Sequence, residues 1–309
     1  HQTPVGIPWN GHAERFYCTG NDILNPSRRS ANKIRYNARR FFKVTVMELI
    51  DIGCNLTHDS FDSDLVEVVE NAQDAGVVQM IVTGASEEGS PHALQLARKF
   101  PGVLYATAGV HPHHADTYTD ATHAMLRGLA ERDEVVAVGE TGLDYFRDFS
   151  PRDRQREAFE RQLSIGEETG LPLFLHMRDA HEDFHAILSD HRDNLCDVVV
   201  HCFTGARKEM HQYLDLDCHI GITGWICDER RGTHMKEYLG EIPANRLLVE
   251  TDAPYLKPRN LRPKVKSHRN EPRFLPWILG TLAAVRDEHP EELAAQTTAN
   301  ARRFFRIEP

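Results

Sequence analysis

The sequence predicts an α/β fold, a closed (β/α)8 TIM barrel, on two observations. From Met47 onward, eight short runs rich in β-branched residues alternate with stretches of helical period. Nearly every run is apolar along its length and turns polar or ionisable at its C-terminal end. An open doubly wound sheet could also hold eight strands, so the count alone does not decide. The polar ends do, because a barrel brings them all to one face, where barrel enzymes build their sites. Burying those carboxylates and imidazoles separately would be costly.

The strand runs cover residues 48–56, 77–85, 104–112, 135–144, 171–179, 196–205, 219–224 and 246–254. Their polar ends are, in order, Asn55/Thr57, Thr83, His111/His113, Glu140/Asp144, His176/Arg178, His201, Thr223 and Glu250/Asp252. The segments between them read as helices. In 63–75, Leu65, Val68, Val69 and Ala72 recur at helical spacing and Gly76 follows as a cap. Segment 151–169 opens with Ser150 at the N-cap and Pro151 in the first turn, and closes at Gly170.

Residues 1–46 read differently and are expected to be a disordered or non-native extension ahead of a hydrolase domain spanning 47–309. They contain Pro4, Pro8 and Pro26 and no sustained apolar period. They lack the apolar core of a secretory signal; an Arg-rich transit peptide is the alternative. The hexapeptide Asn37–Phe42 (NARRFF) recurs at Asn300–Phe305, a match without a physical account. The net charge is −10, but residues 1–46 carry eight Lys/Arg against two Asp/Glu, a local +6 that leaves −16 for the rest. An acidic body argues against a broad nucleic-acid-coating surface, so such contact would be local or metal-mediated. Six scattered cysteines without C-x-x-C spacing, and no apolar run long enough for a membrane span, predict a cytoplasmic protein without membrane partners.

The strand ends hold the only evident chemistry. Two imidazoles and two carboxylates from four strands, His176, His201, Glu140 and Asp252, form a mixed N/O set suited to a divalent ion, with zinc, manganese and magnesium all compatible. Strand parity lets His111 and His113, and Glu250 and Asp252, point together into the mouth. Cys202 should face the opposite way, into the core. His114, His181, His185, His191, His211, His219 and His234 read as solvated or packed histidines. No Walker loop, G-x-S-x-G or dinucleotide fingerprint stands in the right context.

The motifs AGVHPH (108–113), GETGLD (139–144), LHMRDA (175–180), VHCFTG (200–205), GITGWICDERRG (221–232), ETDAPYL (250–256) and SHRNEP (267–272) closely resemble the TatD family of magnesium-dependent nucleases, across essentially all of 47–309. The resemblance implies an amidohydrolase-like barrel. It makes Glu140, His176, His201 and Asp252 the metal ligands, with Asp252 also the base for the attacking water, and it places His111 with Glu140 and Asp252 in the catalytic site. It implies a metal-dependent 3′→5′ exonuclease acting on single-stranded DNA, possibly RNA, with Mg²⁺ first and Mn²⁺ or Zn²⁺ as alternatives. One departure stands out. Many members carry H-x-H at the end of the first strand, where this chain has Asn55 and Thr57; a narrower subgroup shares this pattern, which puts tight binding of a second metal in doubt.

Substrate contacts are expected from His113, Arg178 and the basic stretch after the last strand, above all Lys264, Lys266 and Arg269. Trp225, Tyr145 and Phe146 on neighbouring loops could stack bases. The protein is expected to act as a monomer. The rival readings are a hydrolase of another ester or amide, such as D-aminoacyl-tRNA, and a non-catalytic nucleic-acid or protein-export partner.

Overall fold

The computed structural model describes residues 47–309; the expected extension over 1–46, with its NARRFF copy, lies outside the described residues. The eight expected strands are all present: β1 (Leu49–Cys54), β2 (Val77–Val82), β3 (Leu104–Ala108), β4 (Val135–Asp144), β5 (Leu173–Arg178), β6 (Val198–Val200), β7 (His219–Ile222) and β8 (Leu247–Val249). They pair in parallel in the order β1 to β8. The ring closes between its first and last strands where Asp252 N donates to Gly53 O (2.8 Å) and Asn55 N to Ala253 O (2.6 Å). This is the (β/α)8 barrel that the sequence predicts.

Helices α1 (Leu65–Asp74), α2 (Gly89–Lys99), α3 (Asp120–Ala130), α4 (Arg152–Thr169), α5 (His181–His191), α6 (Arg207–Asp215), α7 (Leu275–Arg286) and α8 (Pro290–Phe305) accompany the strands. The periodic residues Val68, Val69 and Ala72 are the buried face of α1. Gly170 ends α4 in the left-handed region (φ 67°), as expected for a residue that pays no Cβ penalty there. The start of α4 shifts by one residue: Pro151 is the N-cap, and Ser150 Oγ instead donates to His113 O at 3.0 Å. Most strands are shorter than their apolar runs, because the chain leaves the ladder before the polar residues begin.

Side-chain alternation splits the core. Ile50, Ile52, Ile81, Phe174, Val199 and Leu248 form one cluster with Phe304 and Phe305 from the end of α8. The larger cluster packs the other strand faces against the helices. The C-terminal NARRFF segment thus has a structural use, as its two phenylalanines join that first cluster.

Asp51 on β1 is fully buried beneath the catalytic face. Burial raises its carboxyl to about 8, against the hydrogen bonds from Thr251 and Gly53 that favour the ionised form. A carboxyl whose pKa rises on folding stabilises the protein while protonated and loses that contribution as pH climbs. Asp51→Asn should therefore gain melting temperature relative to wild type as pH rises from about 5 to about 8. Parallel thermal melts across that range check this, and a gap that narrows with pH would contradict it.

Candidate metal-dependent active site

The longest strand, β4, builds the centre of the site. It runs to Asp144 and carries Glu140 into the barrel mouth. Glu140 is 6 % exposed, and its Oε1 meets three imidazoles: His201 Nε2 at 2.7 Å, His176 Nδ1 at 3.0 Å and His111 Nε2 at 3.4 Å. Ligand atoms of His111, Glu140 and His176 all lie within 4.8 Å of one another. Among the described residues, buried His176 Nε2 has no hydrogen-bond partner, its nearest carboxylate being Asp144 Oδ2 at 3.5 Å. Converging carboxylate and imidazole atoms with an unsatisfied ring nitrogen fit a divalent cation.

The electrostatics point the same way. Burial opposes charge on Glu140, but His201, His111 and His176 outweigh it and hold the carboxyl well below its usual range. Burial likewise opposes protonation of His201, and Glu140 and Glu250 overcome it, so its pKa lies well above the usual value. His176 is raised too, by Asp144 and Glu140 working against burial. His111 goes the other way, because burial dominates and keeps its ring neutral. The carboxylates favour the protonated form of His176 and His201, and a cation would take the place of those protons.

A second layer orients these groups. Glu250 is fully buried; its Oε2 lies 3.3 Å from His201 Nδ1, and its Oε1 accepts from Cys202 N at 2.5 Å. The slot for that carboxylate exists because Gly53 and Gly221 lack side chains; a Cβ on Gly221 would stand 2.7 Å from Glu250 Oε1. Asp144 Oδ2 lies 2.7 Å from His113 Nε2, while its Oδ1 accepts from Phe146 N and Arg147 N at 3.0 and 2.8 Å. Such carboxylate partners fix the tautomer and orientation of a ligating imidazole.

Asp252 stands apart from the close cluster. It lines the same cavity, with Oδ1 accepting from Asn55 Nδ2 at 3.0 Å, and burial raises its carboxyl to about 7. His111 and His113 both line the cavity with ring centroids 4.1 Å apart, though not by strand parity, whereas Glu250 and Asp252 do not point together. Glu250 and Asp252 part company because β8 ends at Val249 and Asp252 adopts φ 54°. His111 and His113 leave β3 altogether: His111 caps, and His113 lies in, a 3-10 turn at Pro112–Thr117. Cys202 also differs from the expected core position. It lines the cavity at φ 46°, with a thiol that burial pushes well up and keeps neutral.

The cavity measures about 920 Å³ and opens on the C-terminal face. Its walls include His113, His114, Phe146, Arg147, Arg178, Trp225, Arg231, Tyr255 and His268. The expected basic loop does not contribute as anticipated. Lys264 and Lys266 are exposed and outside the cavity lining. Arg269 is committed to Asp64, by two contacts of 2.8 and 2.7 Å, and to Glu271 at 3.1 Å, so it ties the loop to the start of α1. Lys257 donates to the carbonyls of Val265 and Ser267 and closes the loop on itself. Positive charge at the mouth comes instead from Arg147, Arg178 and Arg231. Sequence reasoning missed Arg147 and Arg231, although Arg231 stands in a quoted motif beside Trp225.

The family model described as TatD related DNase matches residues 50–306. The chain belongs to this family. The 3′-5′ ssDNA/RNA exonuclease TatD of Pantoea vagans is 49 % identical over 259 residues, covering 84 % of this chain and 100 % of that protein. The protein of the same name from Erwinia tasmaniensis is 50 % identical, again over 84 % of this chain and 100 % of its own length. Among solved structures, a TatD homolog from Escherichia coli superposes with a TM-score of 0.78 at 29 % identity, covering 85 % of this chain and all of that one. A TatD family hydrolase from Entamoeba histolytica gives 0.73 at 26 % identity, over 84 % and 98 %. The TatD assignment and the barrel thus rest on sequence, fold and site together.

Proposed function

We propose that this TatD family member is a metal-dependent 3′→5′ exonuclease that hydrolyses the phosphodiester bonds of single-stranded DNA and RNA. The observation that carries the reading is the meeting of Glu140 with three imidazoles at the floor of a strand-end cavity large enough for a nucleotide. Relatives that align end to end under the name 3′-5′ ssDNA/RNA exonuclease support the substrate and direction.

Glu140, His176, His201 and Asp252 are the proposed metal ligands, with neutral His111 beside them as a further donor. A divalent cation bound there would polarise a phosphoryl oxygen and make a bound water more acidic. Mg²⁺ is the proposed ion, since phosphate chemistry at carboxylates suits it, although the three imidazoles also suit Mn²⁺ or Zn²⁺. Asn55 holds one oxygen of Asp252 and orients the carboxylate at the cavity wall. Asp252 is the proposed base, taking a proton from the attacking water at its other oxygen. His201 keeps its ring orientation through Glu250, and His113 is held at the rim by Asp144 with its ring against Phe149 (4.8 Å). His113 and Arg178 are proposed to contact substrate. Lys264 and Lys266 can do so only beyond the cavity, and Arg269 only by giving up its carboxylate partners.

Residues 47–309 are the proposed functional unit, working as a monomer in the cytoplasm. Among the described residues no helix is long and apolar enough to cross a membrane. A 5′-labelled single-stranded oligonucleotide tests the reading directly. It should shorten one nucleotide at a time, keeping its label on a descending ladder. Release of the label as mononucleotide at the start would reverse the polarity, and internal cuts would make the enzyme an endonuclease.

A further inference from the structure

The cavity rim carries an alternating row of cations and rings that the chemistry at Glu140 does not use. The Arg147 guanidinium lies 5.7 Å from the ring centroid of Phe146, and Arg178 lies 4.9 Å from that same ring on its way to Trp225, 5.0 Å away. Arg231 covers Trp225 at 4.1 Å. The five residues come from the loops after β4 and β7 and from the end of β5, and all five line the cavity.

Among the described residues, Arg178 and Arg231 keep guanidinium nitrogens without a carboxylate partner. The nearest carboxylate to Arg178 among the described residues is Asp179, at 3.9 Å, beyond hydrogen-bond reach. Arg231 Nε is held at 3.0 Å by Asp228, itself 2 % exposed, while the two terminal nitrogens of Arg231 have no carboxylate partner among the described residues. The indole Nε1–H of Trp225 is buried without an acceptor among the described residues, and Phe146 is 57 % exposed. An acidic domain of charge −16 has thus set three guanidiniums along one edge of its catalytic mouth. Aromatic faces hold planar guanidinium groups in fixed orientation, and guanidiniums match phosphate oxygens bidentately.

We propose that Arg147–Phe146–Arg178–Trp225–Arg231 is a rail for the sugar–phosphate backbone of a single strand entering the active site. This inference rests on the nuclease reading. The arginines bind successive phosphates, Trp225 and Phe146 are positioning residues that hold them apart, and the loop at Lys264 and Lys266 is peripheral.

The test measures binding, not turnover. A 5′-fluorescent oligothymidylate with hydrolysis-resistant phosphorothioate linkages is titrated by anisotropy in magnesium buffer at several salt concentrations. Arg178→Gln and Arg231→Gln should each lower the slope of log affinity against log salt by about 0.7, the loss of one single-strand phosphate contact. Arg178→Lys and Arg231→Lys should restore most of that slope. Trp225→Ala should weaken binding by about tenfold, in the range of one or two lost cation–π contacts to Arg178 and Arg231, and Trp225→Phe should recover most of it. Neutralising Lys264 and Lys266 should move the slope less than either arginine variant. Arg147→Gln repeats the slope measurement at the far end of the rail should an Arg231 variant fold poorly. Unchanged slopes in Arg147→Gln, Arg178→Gln and Arg231→Gln, with wild type still binding and digesting oligonucleotide, would overturn the rail alone. A wild type that neither binds nor digests oligonucleotide would overturn the nuclease reading and the rail with it.

Discussion

Glu140→Gln should lower kcat/KM on oligonucleotides by about 10³-fold, close to 4 kcal/mol of transition-state stabilisation. The size follows from the position of this carboxylate, since His111, His176 and His201 all meet its Oε1 within 3.4 Å. The amide keeps the shape but loses the charge, so the site forfeits cation affinity and the balance for the raised imidazoles together. The fold should survive, because His176 and His201 can give up their protons instead of staying charged and unpaired. Initial rates on a labelled oligonucleotide, with circular dichroism and a thermal melt on the same sample, check both halves. Retention of more than about a tenth of wild-type activity, roughly 1.4 kcal/mol, would remove Glu140 from the centre of the mechanism.

Asp252→Asn separates the base from the ligand cluster. Asp252 lines the cavity but stands outside the closest group of metal-type atoms, and Asn55 holds one of its oxygens. Losing a general base costs about 10²–10⁴-fold. That loss should fall mainly on kcat, with KM for oligonucleotide little changed, since the arginine rim is untouched. Metal affinity should fall less than in Glu140→Gln. A variant that keeps kcat but loses metal would make Asp252 a ligand only.

The barrel was legible because most strand runs are largely apolar and buried on both faces, a pattern that needs no knowledge of tertiary contacts. Glu140, His176 and His201 were legible for the same reason, as they break those runs at the C-terminal ends. What failed was the assumption of regular strand geometry beyond the ladder. Glu250 and Asp252 are two residues apart, yet the positive φ of Asp252 sends them to different places. Cys202 enters the cavity through a similar left-handed residue. A period-two argument cannot anticipate either turn.

Charge density along the chain does not tell which cations line the cavity. Lys257–Arg273 is the most basic stretch after the last strand, but Arg269 is consumed by Asp64 and Glu271 and Lys257 by carbonyls of its own loop. Asp64 precedes α1, some two hundred residues away in sequence, so nothing local could reveal the pairing. The arginines that line the cavity, Arg147, Arg178 and Arg231, are scattered singly over three strand ends, and only the closing of the barrel assembles them.

The proposed hydrolysis depends on a cation held at Glu140 and its imidazoles. The most direct test dialyses the protein against a chelator, measures its metal content, and follows oligonucleotide cleavage as Mg²⁺ or Mn²⁺ is returned. Cleavage should fall to background as metal is removed and recover on re-addition in wild type, while Glu140→Gln stays inactive throughout. Metal-free protein that cleaves at the wild-type rate would contradict it.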